Sequence, residues 1–379
     1  MKILLCSYFK FPDGCAGAIR HEKFAQMLKS LGHDVVVVGI GKCNYFKMDI
    51  YKNIEYTSLR YDTLGYLGKI RTRLKYWNNL RNIIEEYGPD CIIMDDLRPW
   101  VTIQLKQYSK TRDILLIHDS VEWYSKQQFI LGHFSPTFIN KNIINKYLID
   151  KNCRVIAISQ FLMRHFETKS IECVNIPIVV SNEDLVSDKL LENEINITYA
   201  GQAGKKDYLD VIISAMTRLS KEELKKVRLH IFGCSEYQMI KNGIPKKYID
   251  MLRSSLVIHG RVPRTEVLKV LLKSDYTILI RSEVQRYAKA GFPTKVVESL
   301  SHSTPVIANI TSDLGQYLVD GYNSLVVPES SVDALLNVLK RAISMPLVQR
   351  EIMCKNAYET ALSKFHYKNF LDQLNYIIS

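Results

Sequence analysis

Residues Ile195–Gly233 read INITYAGQAGKKDYLDVIISAMTRLSKEELKKVRLHIFG. Ile195–Ala200 is a short apolar run and predicts a strand. Tyr208–Leu219 repeats its apolar residues at helical spacing and predicts a helix. Val227–Phe232 is a second strand, closed by Gly233. Strand, helix and strand in this order make a βαβ unit and hence a parallel sheet. Ligands of such sheets sit beyond the carboxyl ends of the strands. The loop Gly201–Asp207 (GQAGKKD) occupies that position.

The alternation continues in both directions. Downstream, strands are expected at Ser255–His259, Tyr276–Ile280, Pro305–Asn309 and Ser324–Val327. Helices are expected at Thr265–Lys273, Thr294–His302, Ser312–Val319 and Val332–Ile343. Upstream, Lys2–Ser7 is a buried strand, and Ala18–Leu31 a helix with Ile19, Phe24, Met27 and Leu28 on one face, ended by Gly32. His33–Gly39 (HDVVVVG) is apolar on both faces, as a parallel strand requires. Cys91–Met94, Ile114–Ile117 and Val155–Ile158 are further strands. The pattern starts twice, so two doubly wound α/β domains are expected. The polar, acidic stretch Ser181–Glu194 is the expected linker.

Composition sets the outer limits. The 379 residues are 47% hydrophobic and 24% charged, ordinary for a globular chain of about two domains. Apolar surface suffices to exclude disorder as the main state. No apolar run approaches the roughly 18 residues of a spanning helix. Ile3–Cys6 is too short for a secretory signal, so a cytoplasmic location is expected. The eight cysteines form no CxxC pair and no cluster with zinc spacing, and read as reduced thiols. With 51 basic and 39 acidic side chains the formal charge is +12, which suits an anionic partner: nucleic acid, a phosphorylated ligand or a membrane surface.

Four loops at strand ends carry chemistry. Phe9–Gly17 (FKFPDGCAG) has two glycines ahead of a helix; they serve either a tight turn or a bound anion. Gly201–Asp207 adds two lysines and forms a phosphate cradle or a solvated loop. Ala290–Ile307 (AGFPTKVVESLSHSTPVI) places Gly291 and Pro293 at a helix start, whose free N–H groups favour an anion. Glu298 lies opposite the face of Val296, Val297 and Leu300, as a solvated carboxylate or as an acceptor for two vicinal hydroxyls. Ile117–Tyr124 (IHDSVEWY) ends a strand with His118, a side chain suited to switching protonation near neutral pH or to filling a core. Asp95-Asp96 is an adjacent pair rather than a DxD motif, and no metal site is expected.

Together these segments resemble the retaining family-4 glycosyltransferases, whose GT-B fold consists of two facing Rossmann-like domains. Ala290-Gly291-Phe292, Glu298 and Thr304-Pro305-Val306-Ile307 overlay the family's nucleotide-sugar signature, E-G-F-G-x-x-x-x-E followed by P-V-I. Gly17-Ala18-Ile19-Arg20-His21 resembles its G-A-E-R-H segment. Gly201 with Lys205 and Lys206 resembles its diphosphate clamp, and VIHGRV at 257–262 and LGQYLVDG at 314–321 also fit. Two positions depart from the pattern: the first Glu is Ala290, and the Arg after the clamp glycine is Gln202. This form resembles bacterial enzymes of capsule, exopolysaccharide and O-antigen assembly.

The resemblance implies an N-terminal, acceptor-side domain over 1–182, a donor domain over 183–362 and a helix over 363–379 that crosses back to the N-terminal domain. It implies transfer from a nucleoside diphosphate sugar with retention, without a metal or other cofactor, in a site between the domains. Lys206, Arg281 and His118 are the expected catalytic residues, with His118 near the donor sugar or the incoming hydroxyl. Gly17, Gly201, Lys205, Lys206, Val262, Arg281, Lys289, Gly291, Phe292, Thr294, Lys295 and Glu298 would hold the donor, Glu298 on the ribose and Val262 near the base. Arg286 joins the cations crowding this loop. The acceptor would be a glycan or a polyprenyl-linked acceptor. Lys69–Arg81 (KIRTRLKYWNNLR) interleaves basic residues with aromatics: either a helix lying on anionic lipid through Lys69, Arg71, Arg73, Lys75 and Trp77, or a solvated face with one packed stripe. No nucleic-acid-binding motif is present. Rival readings are a GT-B nucleotide-sugar epimerase and a non-catalytic sugar-nucleotide-binding protein. A Rossmann dehydrogenase would need G-x-G-x-x-G after the first strand, and FKFPDGCAG lacks it.

Overall fold

The computed structural model describes residues 1–12, 15–41, 47–60, 65–95, 97–189, 191–201, 204 and 206–379, and of residues 60 and 65–74 the backbone only. The chain divides into two compact units. Unit 1 is Met1–Val179 with Tyr367–Ser379, and unit 2 is Val180–His366. The divisions fall a few residues from the expected 182/183 and 362/363, and the stretch read as a linker belongs to unit 2.

Unit 1 contains strands β1 (Lys2–Ser7), β2 (Asp34–Gly41), β3 (Asp49–Tyr51), β4 (Ile54–Arg60), β5 (Cys91–Asp95), β6 (Leu115–Ser120), β7 (Arg154–Ala157) and β8 (Cys173–Asn175). They form one sheet in the order β3-β4-β2-β1-β5-β6-β7-β8. Only β3, paired with β4, runs antiparallel. Ile3–Ser7 of β1 and Val35–Val38 of β2 are buried, as expected where helices cover both faces of the centre of such a sheet. The winding reverses between β1 and β5. A ligand crevice is expected beyond the strand ends at that point.

Unit 2 contains β9 (Ile195–Ala200), β10 (Val227–Phe232), β11 (Leu256–Gly260), β12 (Tyr276–Leu279), β13 (Val306–Asn309) and β14 (Ser324–Val327). Their order is β11-β10-β9-β12-β13-β14, all parallel, with the reversal between β9 and β12. This is the Rossmann strand order. The expected helix Ser312–Val319 is only a 3-10 turn, Leu314–Gln316. Ser312 takes a left-handed φ of 52°, which no helical residue can adopt.

The last helix, Leu371–Ile378, buries Leu374, Ile377 and Ile378 in the core of unit 1 and packs on β7 and β8. Arg154 donates to the Ile377 carbonyl at 2.8 Å. The helix Gly65–Tyr87 corrects one expectation. Tyr76, Trp77 and Leu80 are buried, with Trp77 8% exposed, edge-on to Tyr108 at 5.9 Å. The Tyr76 hydroxyl donates to the Ser7 carbonyl at 2.9 Å. The apolar stripe therefore faces the protein core, and Trp77 is not a lipid-facing side chain. Lys75 is exposed. The side chains of Lys69, Arg71 and Arg73 lie outside the described residues.

One buried ion pair ties the first helix, Ala16–Ser30, to the sheet. Arg20 Nε lies 2.8 Å from Asp119 Oδ2 and its Nη2 2.9 Å from Oδ1. The remaining donors reach the carbonyls of Ile176 (2.9 Å) and Pro177 (2.7 Å). Each nitrogen of this guanidinium thus has an acceptor, and its charge, 2% exposed, has a counterion, as burial requires. Asp119→Ala strands the guanidinium without a counterion. It should cost about 3–5 kcal/mol in urea unfolding followed by a unit 1 probe such as Trp123 fluorescence. An unchanged midpoint would show that the pair does not hold the helix.

Candidate functional site

In unit 2 the reversal point is built around one carboxylate. Asp207 is 5% exposed and forms an antiparallel bridge with Arg281 across the gap between β9 and β12. Its Oδ1 accepts from Arg281 Nε at 2.9 Å. Its Oδ2 pairs with Lys295 Nζ and accepts from the Tyr199 hydroxyl at 3.2 Å. The loop reading had concerned its glycines and lysines; it assigned Asp207 no role. Two cations on one carboxylate leave the cluster net positive. Asn309, at the end of β13, fixes the backbone of Arg281. Its Oδ1 accepts from Arg281 N at 2.9 Å, and its Nδ2 donates to the Arg281 carbonyl at 2.7 Å.

Arg281 is thus held by its backbone and by Nε, with a side chain 13% exposed. Its two terminal nitrogens have no hydrogen-bond partner among the described residues. Lys206, partly buried, adjoins Asp207, and its carbonyl accepts from the Tyr287 hydroxyl. Lys205 lies outside the described residues. Thr294 opens the helix Thr294–Ser301, which carries Lys295 in its first turn. Gly201 is needed for packing: a Cβ there would lie 2.7 Å from the Tyr199 hydroxyl and would strike Lys295 Nζ.

Other expected donor residues fall into two groups. Lys289 is exposed, and Val262 lies partly exposed just beyond β11. Glu298 is not a free carboxylate: Arg264 Nε donates to its Oε1 at 2.7 Å. Phe292 is 5% exposed and packs on Tyr317 and Phe365 at 5.6 and 5.9 Å, so it anchors the Gly291 turn in the core. Ala290, where the family signature has Glu, is fully buried.

In unit 1, His118 is 3% exposed on β6 and lies 6.1 Å from the Phe166 ring. Burial, reinforced by the Lys141 charge, lowers its pKa to about 3. Of the two sequence readings of this histidine, its burial and lowered pKa favour the one that fills the core over a switch near neutral pH. Gly17 accommodates the Phe9 ring, since a Cβ would lie 2.7 Å from it. His21, Asp95 and Asp119 each bring one ligand atom to within 4.8 Å of the others. Among the described residues neither ring nitrogen of His21 has a hydrogen-bond partner, and burial lowers its pKa to about 4. Both Asp119 oxygens are taken by Arg20, whose positive charge opposes a cation at this cluster.

Burial raises the Asp207 pKa, but Lys295 and Arg281 override it and hold the carboxyl well below the ordinary 3.8. A depressed folded value means that the ion pairs stabilise unit 2 above the ordinary value. That contribution is lost as pH falls toward the folded one. Asp207→Asn should therefore be less stable than wild type by roughly 1–3 kcal/mol at pH 7. The gap should narrow as pH drops below about 4. A pH-independent gap in thermal or urea unfolding would contradict the ionised pairing.

Residues 181–360 match the family described as glycosyl transferases group 1. An uncharacterized glycosyltransferase of Methanocaldococcus jannaschii is 24% identical over 347 residues, covering 88% of this chain and 86% of its own. Sucrose-phosphate synthase from Thermosynechococcus elongatus superposes with a TM-score of 0.78 at 16% identity, over 99% of this chain and 98% of that one. WaaG, a glycosyltransferase involved in lipopolysaccharide biosynthesis, gives 0.69 at 14% identity, over 99% of both chains. The Anabaena protein HepE, in complex with UDP-glucose, gives 0.69 at 14% identity, over 99% of this chain and 98% of that one. The group 1 match across unit 2 and the fold shared along the chain support a glycosyltransferase of GT-B fold.

Proposed function

We propose that unit 2 binds a nucleoside diphosphate sugar. The chain then transfers the sugar, with retention at the anomeric carbon, to a glycan acceptor carried by unit 1. The observation that carries this reading is Arg281: a guanidinium fixed at the β9/β12 reversal by Asp207 and Asn309, with no hydrogen-bond partner for its terminal nitrogens among the described residues. In the reaction the bond from the anomeric carbon to the diphosphate oxygen breaks, and the electron pair leaves with the diphosphate. The acceptor hydroxyl forms the new bond and releases its proton. Charge grows on the leaving diphosphate, so cations already positioned there lower the barrier. Arg281 and Lys206 take this role, and the reading calls for no metal ion. Lys295 keeps Arg281 company on Asp207, and the N–H groups at Thr294 add a positive helix end. Glu298, oriented by Arg264, accepts from the ribose hydroxyls. HepE and the trehalose-6-phosphate structure, solved with UDP-glucose and with UDP-2-fluoro glucose, are consistent with such a donor.

The acceptor proposed is polyprenyl-linked, in capsule, exopolysaccharide or O-antigen assembly at the cytoplasmic face of an anionic membrane. The charge of +12 suits that surface. So do the side chains of Ile130, Leu131 and Phe134, exposed by 98, 61 and 82% on one loop of unit 1. Among the described residues no helix is long and apolar enough to cross a membrane.

Steady-state kinetics and nucleotide calorimetry test the roles, and NMR of the product's anomeric proton tests retention. Lys206→Ala should lower turnover at saturating donor by about 100-fold or more, as loss of a transition-state donor does. Glu298→Ala should weaken nucleotide binding by roughly 10- to 150-fold, with most of the loss in ground-state affinity. Donor consumption without any acceptor, beyond hydrolysis, would instead indicate an epimerase. Wild-type nucleotide affinity in Glu298→Ala would remove the ribose role.

A further inference from the structure

The β1/β5 reversal of unit 1 holds a cavity of about 120 Å³, lined by Tyr8, Leu97, Arg98, Tyr124, Asn140 and Lys141 among others. Tyr8 follows β1, Leu97 and Arg98 follow β5, and Tyr124 follows β6. The cavity thus lies where a doubly wound sheet opens its crevice. Its volume exceeds what one water needs by several-fold and admits a small charged group with part of a sugar ring.

Its charge is unusual. Lys141 sits on the helix Pro136–Ile143 and is 5% exposed. Among the described residues its ammonium has neither an ion-pair nor a hydrogen-bond partner. A lysine is almost never buried to this degree unless paired, because desolvating an unpaired charge is costly. Arg98, the second cation of the cavity, lies over the Tyr8 ring at 5.4 Å and likewise has no carboxylate partner among the described residues. Two cations without a carboxylate partner among the described residues therefore line one cavity, one of them buried.

We infer that this cavity seats an anionic group of the sugar acceptor, a phosphate or a carboxylate, against Lys141 and Arg98. The inference rests on the reading of unit 1 as the acceptor side and narrows the acceptor to a charged glycan. Tyr8 and Tyr124 give the sugar ring an aromatic wall, and Asn140 supplies a polar group for its hydroxyls.

The test uses the full chain saturated with whichever of UDP, GDP or ADP it binds, so that the cations around Arg281 are already occupied. Glucose 1-phosphate, glucuronate and glucose are then titrated by calorimetry. At least one charged sugar should bind about tenfold or more tightly than glucose, the gain from a charged hydrogen bond. Preference for glucose 1-phosphate assigns a phosphate, and preference for glucuronate a carboxylate. Lys141→Met should abolish the preference, and Lys141→Arg should keep it. Lys141→Met should also melt at or above the wild-type temperature, because it removes an unpaired buried charge; a lysine serving the fold would lower it. Equal binding of all three sugars, no binding of any, or a preference that survives Lys141→Met overturns the inference. If nucleoside diphosphate binds normally in those cases, the donor reading stands. A chain that binds no nucleoside diphosphate overturns both.

Discussion

Unit 2 depends on the carboxylate of Asp207. The group is buried, so it is tolerated only because Arg281 and Lys295 both pair with it and Tyr199 donates to it. The pairs do two things at once. They close the gap between β9 and β12, where the sheet reverses and no strand covers the loop ends. They also collect more positive than negative charge at that point. A simple pair would be neutral there and indifferent to a diphosphate. The arrangement instead spends one anion to orient two cations, and leaves the outer nitrogens of Arg281 available.

Unit 1 uses a related device with a different outcome. Arg20 and Asp119 also join a helix to strand ends at buried positions, but each nitrogen of Arg20 donates to Asp119 or to one of two carbonyls. That pair is complete and structural. Lys141 and Arg98, in contrast, have no carboxylate partner among the described residues. Burial, reinforced by the Lys141 charge, holds the His118 imidazole neutral.

The parallel sheets were legible because their strands are buried on both faces: HDVVVVG and the runs at Ile195 and Val227 admit little else. The loop Gly201–Asp207 was legible as a ligand site, but its central group was not. Asp207 meets Arg281 and Lys295, 74 and 88 positions along the chain, and no local spacing records such a pairing. The same holds for Arg20 and Asp119, 99 positions apart. The helix around Trp77 shows a different limit. Periodicity identifies an apolar stripe but not what covers it, and here Tyr108 and the core do. The β3–β4 hairpin carries no strong apolar run, and so escaped notice. The pairing of Glu298 with Arg264, and the burial of Phe292 against Tyr317, likewise depend on tertiary neighbours rather than on the signature itself.

The central claim is that the cations assembled on Asp207 recognise a diphosphate. Calorimetry of UDP, GDP and ADP, each set against its own nucleoside, measures that recognition separately from base and ribose contacts. For the nucleotide that binds, the account predicts that the diphosphate improves affinity by about tenfold or more, and that Arg281→Gln removes most of the gain. Equal affinity for nucleotide and nucleoside in the wild-type chain, or a gain untouched by Arg281→Gln, would contradict it.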